Sequence, residues 1–199
     1  MDRIALIIVD MVKDFVRPDG IVYFPDAEAI VPAVARLLQA ARQSRVPIIY
    51  LRDSHQPDEE RWDWELRSVK RHCITSTGGD EIVEELAPPE GAMVIPKRRY
   101  SGFMGTDLDM RLRDLRIEAV VLCGVKTNVC VRATAQDAFQ RGYRVLVPRE
   151  AVSSNRPHLH EASLEDIDRY MGAVISVDEA VRILETGRIP QVLRGALEY

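Results

Sequence analysis

Residues 4–10 read Ile4-Ala5-Leu6-Ile7-Ile8-Val9-Asp10, an unbroken apolar run that stops on a carboxylate. So short a run, rich in Ile and Val, suits a strand covered on both faces, which has no solvent side to alternate with. Comparable runs recur at residues 47–51, 92–95, 119–123, 144–147 and 174–177. Between them, residues 28–43, 80–86, 108–115, 129–140, 159–170 and 178–184 carry apolar side chains at three-and-four spacing, the stripe of an amphipathic helix. Strand and helix in strict alternation predict a three-layer α/β/α domain around a central, mainly parallel six-stranded sheet. Residues 1–199 are expected to form that one domain, with residues 52–79 as its one elaborated loop.

Composition narrows the function. The chain has 199 residues, 46% apolar and 29% charged, with a net charge of −4 and no long basic run. Phosphate neutralisation needs clustered Lys and Arg, so no nucleic-acid partner is expected. No apolar stretch approaches the ~20 residues that span a bilayer, so no membrane partner is expected. The first apolar run is also too short, and too soon followed by charge, for a secretory signal. Cys73, Cys123 and Cys130 cannot all pair within one chain and form no Cys-x-x-Cys motif. These features predict a protein of a reducing compartment, the cytoplasm.

Ligands of parallel sheets bind beyond the carboxyl ends of the strands, so the residues that follow each run come first. Asp10 follows the first, Asp53 and His55 the second, Lys97 the third, and Gly124-Val125-Lys126-Thr127-Asn128-Val129-Cys130 the fourth. A thiol where a strand turns into a helix, near a cation, is expected to have a lowered pKa and serve as a nucleophile. Free cysteines are also small apolar core residues, and Cys123 inside its run fits that description. Asp10 reads as a working carboxylate or a cap, and Lys97 as a site cation or a surface charge. Together, acid, lysine and thiol make a coherent nucleophilic site with backbone N–H groups for an oxyanion. Asp53, His55 and His72 form a second set, with N and O donors suited to one zinc, iron or manganese ion, or simply solvated in a loop. Trp62 and Trp64 read as pocket walls or interface anchors, and His158 and His160 as capping or surface residues.

Four blocks in order resemble the isochorismatase-like superfamily of cysteine hydrolases. They are Ala5-Leu6-Ile7-Ile8-Val9-Asp10-Met11, Lys97-Arg98-Arg99-Tyr100-Ser101-Gly102-Phe103 with Gly105-Thr106-Asp107-Leu108, Gly124 to Val131, and Ala133-Thr134-Ala135-Gln136-Asp137-Ala138-Phe139 with Arg141-Gly142-Tyr143. The resemblance implies that superfamily's hydrolase fold and a catalytic triad of Asp10, Lys97 and Cys130. It implies a cis peptide between Val125 and Lys126, with an oxyanion hole made by the N–H groups of Lys126 and Cys130. It further implies C–N hydrolysis through a thioester, since members that act on a vinyl ether lack the cysteine. Asp53-x-His55 with His72-Cys73 is similar to the metal site of nicotinamidases, where the ion holds the pyridine nitrogen. Phe15 matches a ring-contacting aromatic of the same enzymes. Val69 and Asn128 stand where nicotinamidases usually carry Trp and Asp.

The expected function is therefore cysteine amidohydrolysis of a small amide, with nicotinamide the leading substrate. One divalent metal ion and no organic cofactor are expected. A carbamoyl or ureido substrate cleaved without metal is the alternative, and a non-catalytic binding protein on the same fold is a third reading. The resemblance also implies a homo-oligomer, a dimer or tetramer, with the apolar face of the last helix across its interface.

Overall fold

The computed structural model describes residues 2–61 and 63–190. Among the described residues, seven strands form a single sheet: β1 (Ile4–Val9), β2 (Ile48–Asp53), β3 (Met93–Lys97), β4 (Ala119–Val125), β5 (Arg144–Pro148), β6 (Val152–Ser153) and β7 (Ala173–Ile175). Their order is β3-β2-β1-β4-β5-β7, with the two-residue β6 beside the end of β4, and every pairing is parallel. The expected six strands form that path. β6 is an addition, too short to leave an apolar run in the sequence.

Helices α1 (Lys13–Val16), α2 (Pro25–Ala29), α3 (Val31–Gln43), α4 (Trp64–Ser68), α5 (Leu108–Asp114), α6 (Arg132–Gln140), α7 (Pro157–Tyr170) and α8 (Val177–Thr186) surround the sheet. Alternate side chains of β1 divide the core. Ile4, Leu6 and Ile8 pack with Val34 and Leu37 of α3 and Ala180 and Ile183 of α8. Ala5, Ile7 and Val9 pack with Leu108 of α5, Ala135 of α6 and Leu164 and Ile167 of α7. The three layers are as the sequence predicts. α8 starts with a capping box of Ser176 and Glu179. Its apolar residues Val177, Ala180, Ile183 and Leu184 are buried in the chain's own core, so that face is not free for a subunit interface. No described helix is long and apolar enough to cross a membrane.

Two helical expectations change. The pattern over residues 28–43 splits at Ile30 into α2 and α3, with Pro32 in the first turn of α3. Residues 80–86 form only a single 3-10 turn, Glu84–Leu86. Their apolar side chains serve a strap: Ile82 bridges Val12, and Val83 N–H donates to the Met11 carbonyl. Tyr50 holds the far end of the strap by donating to the Leu86 carbonyl at 2.9 Å.

The chain winds outward from β1 through β2 to β3, then returns to β4 on the other side of β1. The crevice at the carboxyl ends of β1 and β4 is thus the switch point where such sheets bind ligands.

Candidate active site

Four strand ends deliver four functional groups to that crevice. Asp10 follows β1, Asp53 and Lys97 end β2 and β3, and β4 leads into a wide π-helical turn, Thr127–Val131, that carries Cys130. Asp10 has φ +52°, a left-handed conformation that Asp tolerates better than most residues. Gly124 lies against the end of β1 with φ +109°, and a Cβ there would stand 2.0 Å from the Val9 carbonyl oxygen. Only glycine permits that approach, which brings the Asp10 and Cys130 segments side by side.

Lys97 Nζ lies 2.8 Å from Asp10 Oδ2 and 3.5 Å from Cys130 Sγ. Asp10, Lys97 and Cys130 are 0%, 2% and 6% exposed, so the three are nearly sealed from bulk water. The Asp53 N–H donates to Asp10 Oδ1 at 2.8 Å and fixes the carboxylate. Burial raises the Asp10 pKa and outweighs the downward pull of the Lys97 charge. Burial disfavours the Lys97 ammonium, but Asp10, Cys130 and Asp53 around it more than compensate and hold its pKa well up. Burial also pushes the Cys130 thiol well up, against the opposing charge of Lys97. The lowered thiol pKa expected from sequence is therefore reversed, because burial of Cys130 outweighs the cation beside it. The resting group is a thiol beside a carboxylate of raised basicity, an arrangement for activation by general base.

The Val125–Lys126 peptide is cis. Among the described residues, the Lys126 N–H donates to no backbone carbonyl, while the Lys126 carbonyl accepts from Val129 and Val131. Two contacts not foreseen from sequence brace this turn. His160 Nδ1 and Thr127 Oγ1 are 2.9 Å apart, and Ser154 donates to Asn128 Oδ1 at 2.6 Å. His160, read as a capping or surface residue, lies within α7 and half-buried against the turn. Burial lowers its pKa.

Asp53, His55 and His72 form the second constellation, all buried, with donor atoms within 4.8 Å of one another. Asp53 Oδ1 is 3.2 Å from His55 Nε2, and its Oδ2 is 3.2 Å from His72 Nε2. His72 Nδ1 lies 2.6 Å from the Lys70 carbonyl, so in a neutral ring Nδ1 carries the proton and Nε2 is a bare acceptor. That acceptor faces a carboxylate. Both ring nitrogens of His55 are buried and face carboxylate oxygens without a well-angled hydrogen bond, Nε2 towards Asp53 and Nδ1 towards Glu59 Oε2 at 3.3 Å. Buried acceptors converging in this way fit a divalent cation, and a second ring nitrogen tied to a carbonyl is usual for a metal-ligating histidine. Phe15 meets the His72 ring edge-on, with centroids 5.7 Å apart.

Asp14 is a buried carboxylate that the sequence reading does not single out. Its Oδ2 accepts from the Cys73 N–H at 2.6 Å, next to His72, and its Oδ1 accepts from the Ile21 N–H at 3.3 Å. Ser54 similarly ties the strap to β2 by donating to Asp80 at 2.7 Å. No motif marks these pairs, which are distant in sequence. Trp64 is 73% exposed, with Arg67 over its ring. Trp62 lies outside the described residues.

A buried thiol, ammonium and carboxylate thus meet at the switch point of a parallel sheet. The chain belongs to the isochorismatase family, whose domain matches residues 4–179. N-carbamoylsarcosine amidase of Arthrobacter sp. is 31% identical over 96% of this chain and 74% of its own. Maleamate amidohydrolase of Pseudomonas putida is 31% identical over 90% and 86%. A cysteine hydrolase from Pseudomonas syringae pv. phaseolicola superposes with a TM-score of 0.88 at 32% identity, covering 94% of both chains. A pyrazinamidase/nicotinamidase from Streptococcus mutans gives 0.82 at 35% over 86% and 99%. A Pyrococcus horikoshii pyrazinamidase in complex with zinc gives 0.80 at 35% over 87% and 99%.

Proposed function

We propose that this amidohydrolase cleaves the C–N bond of a small amide through a thioester on Cys130. The observation that carries the reading is the buried contact of Lys97 with both Asp10 and Cys130, at 2.8 and 3.5 Å. Asp10 takes the thiol proton as sulfur attacks the carbonyl carbon. Lys97, held as an ammonium, stabilises the thiolate as it forms. The carbonyl oxygen gains its charge beside the N–H groups of Lys126 and Cys130. Asp10 then returns the proton to nitrogen as the C–N bond breaks and ammonia leaves. Water attacks the thioester and gives its proton to Asp10. The C–S bond breaks, the acid departs, and the proton returns to sulfur.

Asp53, His55 and His72 would hold a zinc, iron or manganese ion. Bound there, it supplies a Lewis-acidic position that orients a substrate donor atom beside Cys130. This set, and the likeness to a pyrazinamidase/nicotinamidase, favour nicotinamide. A second reading, an amide or ureido acid, is favoured by the relatives named for N-carbamoylsarcosine and maleamate. The experiment is ammonia release by the purified protein, with and without chelator, and with Cys130→Ala. Release that needs Cys130 supports the thioester reading, and release that survives Cys130→Ala overturns it.

A further inference from the structure

Lys126 stands apart from the other partly buried cations around the crevice. Lys13 pairs with Glu81 at 2.7 Å, and Arg17 pairs with Glu84 at 2.7 Å and with Glu85. Arg132 pairs with Asp166 at 2.8 Å. Among the described residues no carboxylate lies within ion-pair distance of Lys126. Its ammonium instead lies over two aromatic faces, 5.6 Å from the centroid of Phe15 and 5.4 Å from that of Phe24. Both rings are buried, and Phe15 also meets His72 edge-on, so one ring links this amine to the metal set. The titratable groups that act on it are Cys130, at rest a neutral thiol, and Arg156, itself a cation. Burial and Arg156 both lower its pKa. A half-buried cation held by rings alone, beside a second cation, lacks only an anion. Its backbone N–H belongs to the proposed oxyanion hole, so an anion on its side chain would also contact the reacting group's neighbourhood.

We propose that Lys126 is the specificity-determining residue for a carboxylate on the substrate, which selects the second of the two readings above, a small amide or ureido acid, over the first, a neutral aromatic amide. The assignment rests on the thioester reading. The carbonyl under attack sits at Cys130, the carboxylate pairs with Lys126, and the carbon chain between them packs on Phe15 and Phe24. The two aromatic walls keep the ammonium poorly hydrated, which strengthens a charge-assisted hydrogen bond to the acid.

The test compares kcat/KM for maleamate, N-carbamoylglycine and 3-ureidopropionate with that for their methyl esters and for nicotinamide. Wild type, Lys126→Met, Lys126→Arg and Cys130→Ala are measured as full chains. The expected result is a preference for at least one acid over its ester by roughly tenfold or more. Lys126→Met abolishes that preference, chiefly through KM, and Lys126→Arg keeps part of it. Equal turnover of acid and ester, turnover of nicotinamide but no acid, or turnover of none of the acids overturns the assignment. So does an equal loss on acid and neutral substrates in Lys126→Met, which is what a merely structural lysine would give. Ammonia release by Cys130→Ala would instead overturn the thioester reading beneath it.

Discussion

Lys97 and Asp10 form an ion pair 2.8 Å long in which neither side chain is more than 1% exposed. They come from β3 and β1, strands that do not touch, and they meet only because both end at the same edge with β2 between them. A buried pair of this kind adds little net stability, but removing one partner strands the other charge. Lys97→Met should therefore cost about 3–5 kcal/mol in urea unfolding and abolish hydrolysis. Adding Asp10→Asn to that variant should restore much of the stability and none of the activity. A Lys97→Met protein of normal stability would show that the pair is not desolvated as described.

Cys130 alkylation should report the burial of the thiol. Its pKa is raised, so thiolate is scarce at neutral pH and grows as pH rises. The rate of labelling by iodoacetamide should keep climbing with pH past the ordinary thiol range, with peptide mass mapping used to separate Cys130 from Cys73 and Cys123. A plateau already reached near neutral pH would mean a free thiolate and remove the need for Asp10 as base.

Metal content offers an independent check on Asp53, His55 and His72. Elemental analysis should find about one divalent ion per chain, lost in His72→Ala, and added ion should raise the thermal midpoint of the stripped protein. Stripped protein whose midpoint ignores zinc, iron and manganese would leave the three residues as pocket structure.

Asp14 should matter without touching substrate. In Asp14→Ala the Cys73 N–H loses its acceptor in a buried place, at a cost of about 1–3 kcal/mol. Because His72 precedes Cys73, the same variant should bind metal more weakly than wild type in a chelator competition, whereas a purely global effect would leave affinity unchanged in the folded fraction.

The sheet was legible because strands buried on both faces must be continuous apolar runs, and the residue after each run lies at the ligand edge whatever the helices do. That rule places Asp10, Asp53, Lys97 and the turn that holds Cys130 at one edge of the sheet. It failed where side chains meet across long sequence distances. Asp14 with Cys73, Ser54 with Asp80, and Thr127 with His160 are pairings made by the fold, and no spacing announces them. It also failed at residues 80–86, where a helical spacing of apolar residues is satisfied by a strap laid across Val12 and Met11. The direction of the Cys130 pKa is not legible in the sequence for a related reason. Its place before a helix can be read from sequence, but its enclosure by three strand ends cannot.

The most direct test of the account is to catch the acyl group on sulfur. Wild type is mixed with maleamate or another substrate that it turns over, quenched in acid during turnover, and digested for mass spectrometry. The account predicts an acyl adduct on the peptide that contains Cys130, absent from Cys130→Ala, which releases no ammonia. Ammonia release by Cys130→Ala, or an adduct that maps to Cys73 or Cys123 instead, would contradict it.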